Sequence, residues 1–182
     1  GSSAFEIEVH NQGNMSVRNV TIVDYIPQGM SVGLLSLQDG WTVNGNIAEY
    51  VINGSIAPQS VKYIQMVLEH TGDIDPAQLI NRSEIAEVFA NDLTDLSNYD
   101  FDSRPDRDPG NDAGGIPNTE TDNVLNLDST VDEDDADPAG IPVFDLALTK
   151  KLVPEKLAYR KGDTVTYIID IFNQGNVIAG NI

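Results

Sequence analysis

Aspartates recur at short intervals in two stretches of the sequence, and their type and spacing indicate a chemistry. The first stretch, "DFDSRPDRDPGND" at residues 100–112, repeats Asp-x-Asp and contains two prolines and a glycine that bend the chain. The second stretch, "VDEDDADPAG" at residues 131–140, also repeats Asp-x-Asp and contains one proline and one glycine. Ca²⁺ takes roughly six to eight oxygen ligands in a flexible geometry, which clustered carboxylates on a bent chain can supply. The predicted calcium ligands are Asp100, Asp102, Asp106, Asp108, Asn111 and Asp112 in the first group and Asp132, Asp134, Asp135 and Asp137 in the second.

The two groups could close over shared calcium ions and hold the intervening residues at both ends. The like charges would then be tolerated because the cations neutralise them. The alternative is a solvated acidic linker, which low hydrophobicity and like charge ordinarily favour. We favour calcium because a solvated run rarely repeats Asp-x-Asp twice with Pro and Gly at its bends. Magnesium fits less well, since it binds few carboxylates and keeps its water, and the helix-flanked calcium loop with its fixed Gly and Glu positions does not occur.

The charge of the chain is concentrated in the same region. The 182 residues carry a net charge of −19, and residues 92–137 hold fifteen acidic residues against Arg104 and Arg107, a net of −13, which leaves −6 for the remainder. With only ten basic residues in the chain, nucleic acid and anionic membrane surfaces are not expected partners. No apolar run reaches the roughly 20 residues of a membrane span, so no membrane insertion is expected. Cysteine is absent, which excludes disulfides and zinc sites of the cysteine type.

Few residues could support catalysis. His10 and His70 lie on predicted strands, and neither belongs to a nucleophile or metal-ligand motif. Paired carboxylates could cleave glycosides, but here they lack the apolar surroundings that raise the pKa of one member. Trp41 and Tyr63 are expected in the core rather than as a carbohydrate platform. The sequence therefore predicts that the chain is not an enzyme.

An internal repeat relates the two ends of the chain. Residues 5–20, "FEIEVHNQGNMSVRNV", align with residues 167–182, "YIIDIFNQGNVIAGNI", at a constant offset of 162. The segment Asn-Gln-Gly-Asn is identical in both copies, and the flanking residues match in kind. Self-similarity at a fixed distance is typical of tandem arrays. We therefore expect the sequence to cover about one period of a longer protein.

Outside the acidic segment, the sequence predicts short strands. "FEIEVH" and "VRNVTIVDYIP" alternate apolar and polar residues, and Asn44-Gly45 is a strong hairpin signal between two further strands. "SVKYIQMVLEH" carries apolar residues at both alternating sets of positions, which predicts that both faces are covered, and "LINRSEIAEVFA" fits a strand or a short helix. With "FDLALTKKL" and "DTVTYIIDIFNQGN" there are seven or eight strands. They predict an all-β fold, an immunoglobulin-like β-sandwich with a long acidic calcium-binding insertion or linker.

Several of these phrases resemble a known family. "FDLALTKKL", "GDTVTYIIDIFNQGN", "NVTIVDYIPQGM" with "GWTV", and "INRSEIAEV" are similar to the conserved repeat domain of unknown function found in tandem in very large bacterial cell-surface proteins. "DFDSRPDRDPGND" and "VDEDDADPAGIPVFDLAL" resemble the variant of that repeat in surface adhesins of the Bacteroidetes, including those of gliding cells. The resemblance implies an immunoglobulin-like sandwich and a role as an extended stalk or adhesin segment.

The resemblance also implies a division of the chain, because "FDLALTKKL" opens a unit in that family. Residues 1–90 would be the later strands of one repeat and residues 91–141 the acidic calcium-binding segment. Residues 142–182 would be the first strands of the next repeat, or would fold back to close the first one.

Three functions follow from these observations. The first is a calcium-stabilised structural repeat of an extended adhesin or filament on the bacterial cell surface, with Ca²⁺ as its cofactor and neighbouring repeats of the same protein as its partners, serving adhesion and gliding motility. The second is a module whose own loops bind a surface glycan or protein. The third is a hydrolase that uses pairs of aspartates, which the lack of a catalytic motif disfavours.

Overall fold

The computed structural model describes residues 1–72, 79–100, 103–110, 115–117, 125, 134–153 and 158–180. The chain forms two compact units, Gly1–Ile141 and Pro142–Ile182. The first unit contains β1 (Ser2–Asn11), β2 (Val17–Tyr25), β3 (Met30–Val32), α1 (Leu34–Asp39), β4 (Thr42–Asn44), β5 (Ile47–Ile56), β6 (Ser60–His70), β7 (Ile80–Ala90) and β8 (Ala136–Gly140). The second unit contains β9 (Leu146–Val153) and β10 (Thr166–Asn173).

The strands of the first unit form two antiparallel sheets. One has three strands in the order β1-β6-β3, and the other has five in the order β4-β5-β2-β7-β8. The fold is therefore all-β with antiparallel sheets, as predicted, and the arrangement is consistent with a β-sandwich. The segment at 80–90, for which the sequence left strand and helix open, is strand β7 and pairs with both β2 and β8.

The core of the first unit takes apolar side chains from both sheets. The three-stranded sheet contributes Val9, Ile64, Met66 and Leu68, and the five-stranded sheet contributes Val20, Ile22, Ile52 and Ile56, all with at most 9% of their surface exposed. Trp41 is 2% exposed, as predicted for a core residue. Its indole Nε1 donates a 2.8 Å hydrogen bond to the carbonyl of Gln65 on β6. Because Trp41 directly precedes β4, this bond ties the two sheets together.

Strand β6 corrects two expectations about burial. Its residues Ile64, Met66 and Leu68 are buried, whereas Tyr63 is 58% exposed. The prediction that Tyr63 lies in the core was wrong, and so was the prediction that both faces of β6 are covered. Alternation places Tyr63 on the face opposite the core, and in the described residues that face is largely open to solvent at Tyr63.

Strand β2 is buried on both faces over its middle part. Each residue from Val20 to Asp24 is buried, so the alternating positions of both faces are covered. The register of β2 shifts near its start, between Arg18 and Val20, and Asn19 at this point has a φ of 48°. Asparagine tolerates this left-handed conformation better than most residues, which suits it to a bulge.

The hairpin signal at Asn44-Gly45 is confirmed. Strands β4 and β5 are antiparallel with Asn44 opposite Ile47, so Gly45 and Asn46 form the two-residue loop. Gly45 has a φ of 67°, which a residue with a side chain adopts only at a cost. The helix α1, which the sequence did not predict, ends at Gly40 with a φ of 114° and a capping bond from its N–H to Ser36 O.

The second unit is a β-hairpin. Strands β9 and β10 pair antiparallel from Leu146 opposite Asn173 to Val153 opposite Thr166. One face carries Lys150, whose Nζ lies 4.1 Å from the ring centroid of Tyr167, and the other carries an ion pair of 3.7 Å between Lys151 and Asp170. Among the described residues, no helix is long and apolar enough to cross a bilayer.

We predict that Leu68→Ala lowers the free energy of unfolding by about 2 to 5 kcal/mol, because it removes a fully buried side chain from the core and leaves a cavity. The matched control is Leu35→Ala, which truncates a side chain of the same type that is 63% exposed on α1. Urea unfolding followed by the fluorescence of Trp41 measures both. Equal loss in the two variants would contradict the assignment of Leu68 to the core.

Candidate functional site

The structure describes six of the ten predicted calcium ligands, namely Asp100, Asp106, Asp108, Asp134, Asp135 and Asp137. The remaining four, Asp102, Asn111, Asp112 and Asp132, lie outside the described residues. The six are not equivalent in their surroundings. Those of the second group border a groove, whereas two of the first group form local turns.

We define the β1 groove as the cavity of about 960 Å³ lined by Phe5, Ile7 and Val9 of β1 with Ile22 of β2, Ile85 of β7 and Ala139 of β8. Asp100, Asp134, Asp135 and Asp137 also line this cavity. One member of the first predicted group and three of the second therefore border the same groove, although Asp100 and Asp134 lie 34 positions apart in the sequence. Asp106 and Asp108 are not among its lining residues.

Asp106 and Asp108 organise their own stretch of chain. A carboxylate oxygen of Asp106 accepts a 2.6 Å hydrogen bond from the backbone N–H of Asp108, and a carboxylate oxygen of Asp108 accepts a 3.0 Å bond from the N–H of Gly110. These are Asx turns, in which a side chain bonds the backbone two residues further on. The Asp-x-Asp pattern thus has a structural use at these two positions, which the sequence interpretation did not include.

The same turn occurs twice directly after β7. The carboxylate of Asp92 accepts a 3.0 Å bond from the N–H of Thr94, and that of Asp95 accepts bonds of 2.9 and 2.7 Å from the N–H and hydroxyl of Ser97. Bonds from the backbone and hydroxyl of these partners lower the pKa of both carboxyl groups. The backbone conformation at the start of the acidic segment is therefore stabilised by hydrogen bonds to the segment's own aspartates.

Arg107 ties the acidic segment to the five-stranded sheet. Its Nε lies 3.3 Å from a carboxylate oxygen of Glu49 on β5, and its NH1 lies 3.0 Å from one of Glu87 on β7. Burial lowers the pKa of this guanidinium, but the bonds and charges of Glu87 and Glu49 together raise it. Each partner is about 40% exposed, so each pair contributes at most about 1 kcal/mol. Sequence reasoning missed this clamp, because nothing in the spacing links three residues so far apart.

Two further carboxylates are buried where β8 joins β7. Glu84 is 4% exposed and Asp135 is 7% exposed. Glu84 lies opposite Ala136 in the pairing of β7 with β8, and the N–H of Ile85 donates a 2.8 Å bond to the carbonyl of Asp135. Asp135 was predicted as a ligand, whereas Glu84 was not singled out because it reads as an ordinary strand residue. Glu84 also lines the β1 groove, which adds a candidate oxygen ligand to this place.

Asp24 is a carboxylate of the core itself. It is fully buried, and its two carboxylate oxygens accept 2.8 Å bonds from Asn81 Nδ2 and from the hydroxyl of Ser83 on β7. Burial raises the pKa of Asp24 to about 6, although the hydrogen bonds from Asn81 and Ser83 lower it in part. A carboxyl group in this setting is easier to bury when it is protonated.

Asp137, another predicted ligand of the second group, lies within a strand. It belongs to β8, where it is exposed and pairs with Ser83 of β7. Its neighbour Asp134 accepts a 3.0 Å bond from the side chain of Gln12. Within the described ranges, no three aspartate, glutamate or histidine side chains lie close enough together to hold a metal ion.

The two histidines make contacts with residues on the same or a neighbouring strand. His10 Nε2 lies 3.2 Å from a carboxylate oxygen of Glu8 on the same strand, and His70 Nε2 lies 3.3 Å from the hydroxyl of Ser3 on the strand beside it. The first contact joins side chains two residues apart on one face of a strand, and the second joins side chains that meet because β1 and β6 are paired. The expectation that the chain is not an enzyme stays a prediction.

Comparison of the chain with protein-family models, with curated proteins and with solved structures gives no match.

We predict that the pH dependence of stability contains a component from Asp24. The unfolded chain releases this proton near the ordinary pKa of 3.8 and the folded chain near 6, so between these values the folded state holds more protons. The stability that Asp24 contributes is therefore greatest at low pH and falls as the pH rises to about 6. The wild type should lose roughly 3 kcal/mol relative to Asp24→Asn across this range, with little further change above it.

Chemical denaturation of both proteins at several pH values, with chelator present, measures this difference. Asp39→Asn, a change of the same kind at an exposed position on α1, is the control. A difference between wild type and Asp24→Asn that stays constant from about pH 4 to pH 7 would contradict the shifted pKa.

Proposed function

We propose that this chain is a calcium-stabilised structural repeat of an extended adhesin or filament on the bacterial cell surface. The observation that carries the proposal is that the same local structure occurs twice, at positions separated by the sequence offset of 162. A protein built from such units holds a distal binding region away from the cell, in adhesion or in gliding motility.

The repeated structure is a strand followed by an asparagine-centred turn. After β1, Asn11 Nδ2 donates a 2.9 Å bond to the carbonyl of Met15, and Asn11 Oδ1 accepts a 3.1 Å bond from the N–H of Gly13. After β10, Asn173 makes the corresponding bonds of 2.9 Å to Val177 and 3.2 Å from Gly175. Each residue of the second turn is 162 positions beyond its counterpart, so sequence and local geometry repeat together.

One period of the repeat includes strands of both sheets. From β1 to β10 the chain passes through the strands of both sheets of the first unit, the acidic segment and the strand β9. Self-similarity at a fixed distance is typical of tandem arrays. This organisation supports an extended structural role. In such an array, the first unit would be an immunoglobulin-like sandwich and the acidic segment its calcium-binding insertion.

Calcium is proposed because of where the carboxylates lie. Asp100 and the residues Asp134, Asp135 and Asp137 border one groove, and Glu84 borders it as a buried acid. Carboxylate oxygens are the donors that a hard divalent cation prefers. A cation there would offset part of the net charge of −13 that the segment carries. These oxygen donors are of the type that calcium prefers, and four further predicted ligands lie outside the described residues.

The proposal also gives the metal a mechanical role. A cation that binds only the ordered segment stabilises that state by mass action. If the acidic segment connects successive units of the array, then ordering it removes freedom at the joint. The concentration of calcium outside the cell would therefore control how stiff the array is.

We predict that calcium raises the thermal unfolding midpoint of the chain. At a calcium concentration about a hundredfold above the dissociation constant, the gain in free energy is about 2.7 kcal/mol, which corresponds to a shift of roughly 5 to 10 °C for a chain of this size. Magnesium at the same concentration should produce a much smaller shift, and chelator should reverse the effect. Differential scanning calorimetry measures the midpoints, and titration calorimetry counts the ions.

The variants Asp100→Asn and Asp135→Asn should each reduce the calcium-induced shift, because each removes a charged ligand from the groove. Asp39→Asn is the matched control, since it removes the same charge from an exposed position on α1. A midpoint that moves neither with calcium nor with chelator would refute the metal part of the proposal. Shifts of equal size in all three variants would refute the assignment of these ligands.

A further inference from the structure

Strand β1 lies at the edge of its sheet. Its ten residues pair with β6, from Ser2 opposite Glu69 to Asn11 opposite Ser60. Among the described residues, no strand pairs with the other edge of β1, which we call the β1 outer edge. A long edge strand presents a row of backbone N–H and C=O groups that can pair with another strand. Natural proteins usually cover or block such an edge, so its openness here requires an explanation.

The inner face of β1 borders the apolar part of the β1 groove. Phe5 and Ile7 are only half-buried, whereas Val9, on the same face, is 4% exposed. The opposite wall of the groove includes Ile85 of β7 and Ala139 of β8. The groove thus lies between β1 and the β7–β8 side of the other sheet. One more strand beside β1 would cover this wall.

The internal repeat indicates which kind of strand fits this edge. At the offset of 162, β10 corresponds to residues 4–11 of β1, and β10 is paired with β9. A strand with the sequence of β9, which pairs with one edge of β10, should therefore pair with the β1 outer edge in the same register. We propose that the β1 outer edge and the β1 groove accept a strand with the sequence pattern of β9, which in a tandem array precedes each β1 as β9 precedes β10.

The register of this pairing follows from the hairpin. Transferring the pairs of β10 and β9 by 162 positions sets Leu152 of the incoming strand opposite Phe5, Lys150 opposite Ile7 and Leu148 opposite Val9. Residues directly opposite each other lie on the same face of a sheet. The leucines of the incoming strand therefore enter the apolar side of the groove. Leu148 is 67% exposed in the hairpin, so a side chain of this kind gains burial by docking.

The outer face of β1 has the complementary charge. In the hairpin, Lys151 lies opposite Ile168 and its Nζ is 3.7 Å from the carboxylate of Asp170. The corresponding residues of β1 are Glu6 and Glu8, and both are exposed. A lysine at the position of Lys151 would therefore meet two carboxylates on β1, where the hairpin offers one. Opposite charges on facing strands favour this register over its neighbours.

The cation–π contact of the hairpin can also be transferred to β1. Lys150 Nζ lies over the ring of Tyr167, and the residue of β1 at the offset of 162 is Phe5. An aromatic ring therefore stands at the corresponding place on β1. The ring of Phe5 would therefore offer a cation–π partner to the lysine at the position of Lys150, which is the charged residue that the incoming strand places on the inner face.

The inference rests on the tandem-repeat part of the proposed function, and it can be tested separately from calcium binding. Because the chain contains no cysteine, a single introduced thiol reports a single contact. The full chain with Glu6→Cys is mixed with a synthetic peptide of residues 143–153 carrying Lys151→Cys. The proposed register sets these two positions directly opposite each other on the exposed face, at a separation close to that of a disulfide. A mixed disulfide should form under mild oxidation.

The control peptide carries Lys150→Cys instead, which moves the thiol to the opposite face of the same strand. Its disulfide with the Glu6→Cys chain should form at least about tenfold more slowly, because a shift of one residue reverses the face. As a second measurement, the peptide without cysteine should raise the unfolding midpoint of the wild-type chain by roughly 5 °C at saturation. A peptide with Leu148→Asp should not, since it would put a charge against Val9.

Equal rates for the two cysteine peptides, or no stabilisation by the unmodified peptide, would overturn the inference. An intramolecular disulfide in a chain carrying both Glu6→Cys and Lys151→Cys would show that β9 of the same chain occupies the β1 outer edge. That result would overturn the inference that a separate strand docks there. Disulfide-linked dimers of that double variant, in the absence of peptide, would assign the edge to a second copy and would likewise overturn it. If the peptide docks but calcium does not change the unfolding midpoint, only the metal part of the proposed function is refuted. If calcium changes the midpoint but the peptide does not dock, only the inference of strand docking is refuted.

Discussion

The two-sided burial of β2 is the constraint on which the rest of the first unit depends. Val20, Ile22 and Asp24 alternate with Thr21 and Val23, and all five are buried. One face is covered by the three-stranded sheet, as in other two-layer β folds. The other face needs a cover as well, because Val23 is fully buried there. The chain that follows β7 is the most acidic part of the protein, and it contacts the strands on both sides of β2.

An acidic cover over a sheet creates an electrostatic problem that the structure solves in part. Arg107 brings one positive charge to Glu49 and Glu87, and the Asx turns at Asp92, Asp95, Asp106 and Asp108 give those carboxylates backbone donors. Glu84 and Asp135 are the acids of this region that are themselves buried, at the place where β7 meets β8. The calcium ion proposed for the acidic segment would add positive charge beside them.

The sequence was informative wherever a pattern depends on near neighbours. Alternation located the main strands, the Asn-Gly pair located the hairpin, and Trp41 was assigned to the core. It failed at Tyr63, whose burial depends on what lies over β6 rather than on β6 itself. It left β7 undecided for the same reason, since its pairing with β2 and β8 joins segments far apart in the chain. Glu84 and Arg107 were missed as site residues because their partners come from distant strands. Four predicted ligands, Asp100, Asp134, Asp135 and Asp137, border one groove, and this grouping could not be predicted because it depends on how distant strands pair.

The equivalence of β1 and β10 connects the fold to the proposed function. A strand inside a sheet has two edges, and in this chain the two copies of one strand each show a different partner: β6 beside β1 and β9 beside β10. The apolar face of the hairpin remains open, with Ile169 and Ile171 more than half exposed, whereas Val9, the counterpart of Ile171, is buried. Among the described residues, each copy thus shows a partner strand on one edge. In the arrangement that we propose, β1 would lie between a β9-type strand and β6, and the apolar residues of that strand would cover the open side of the β1 groove.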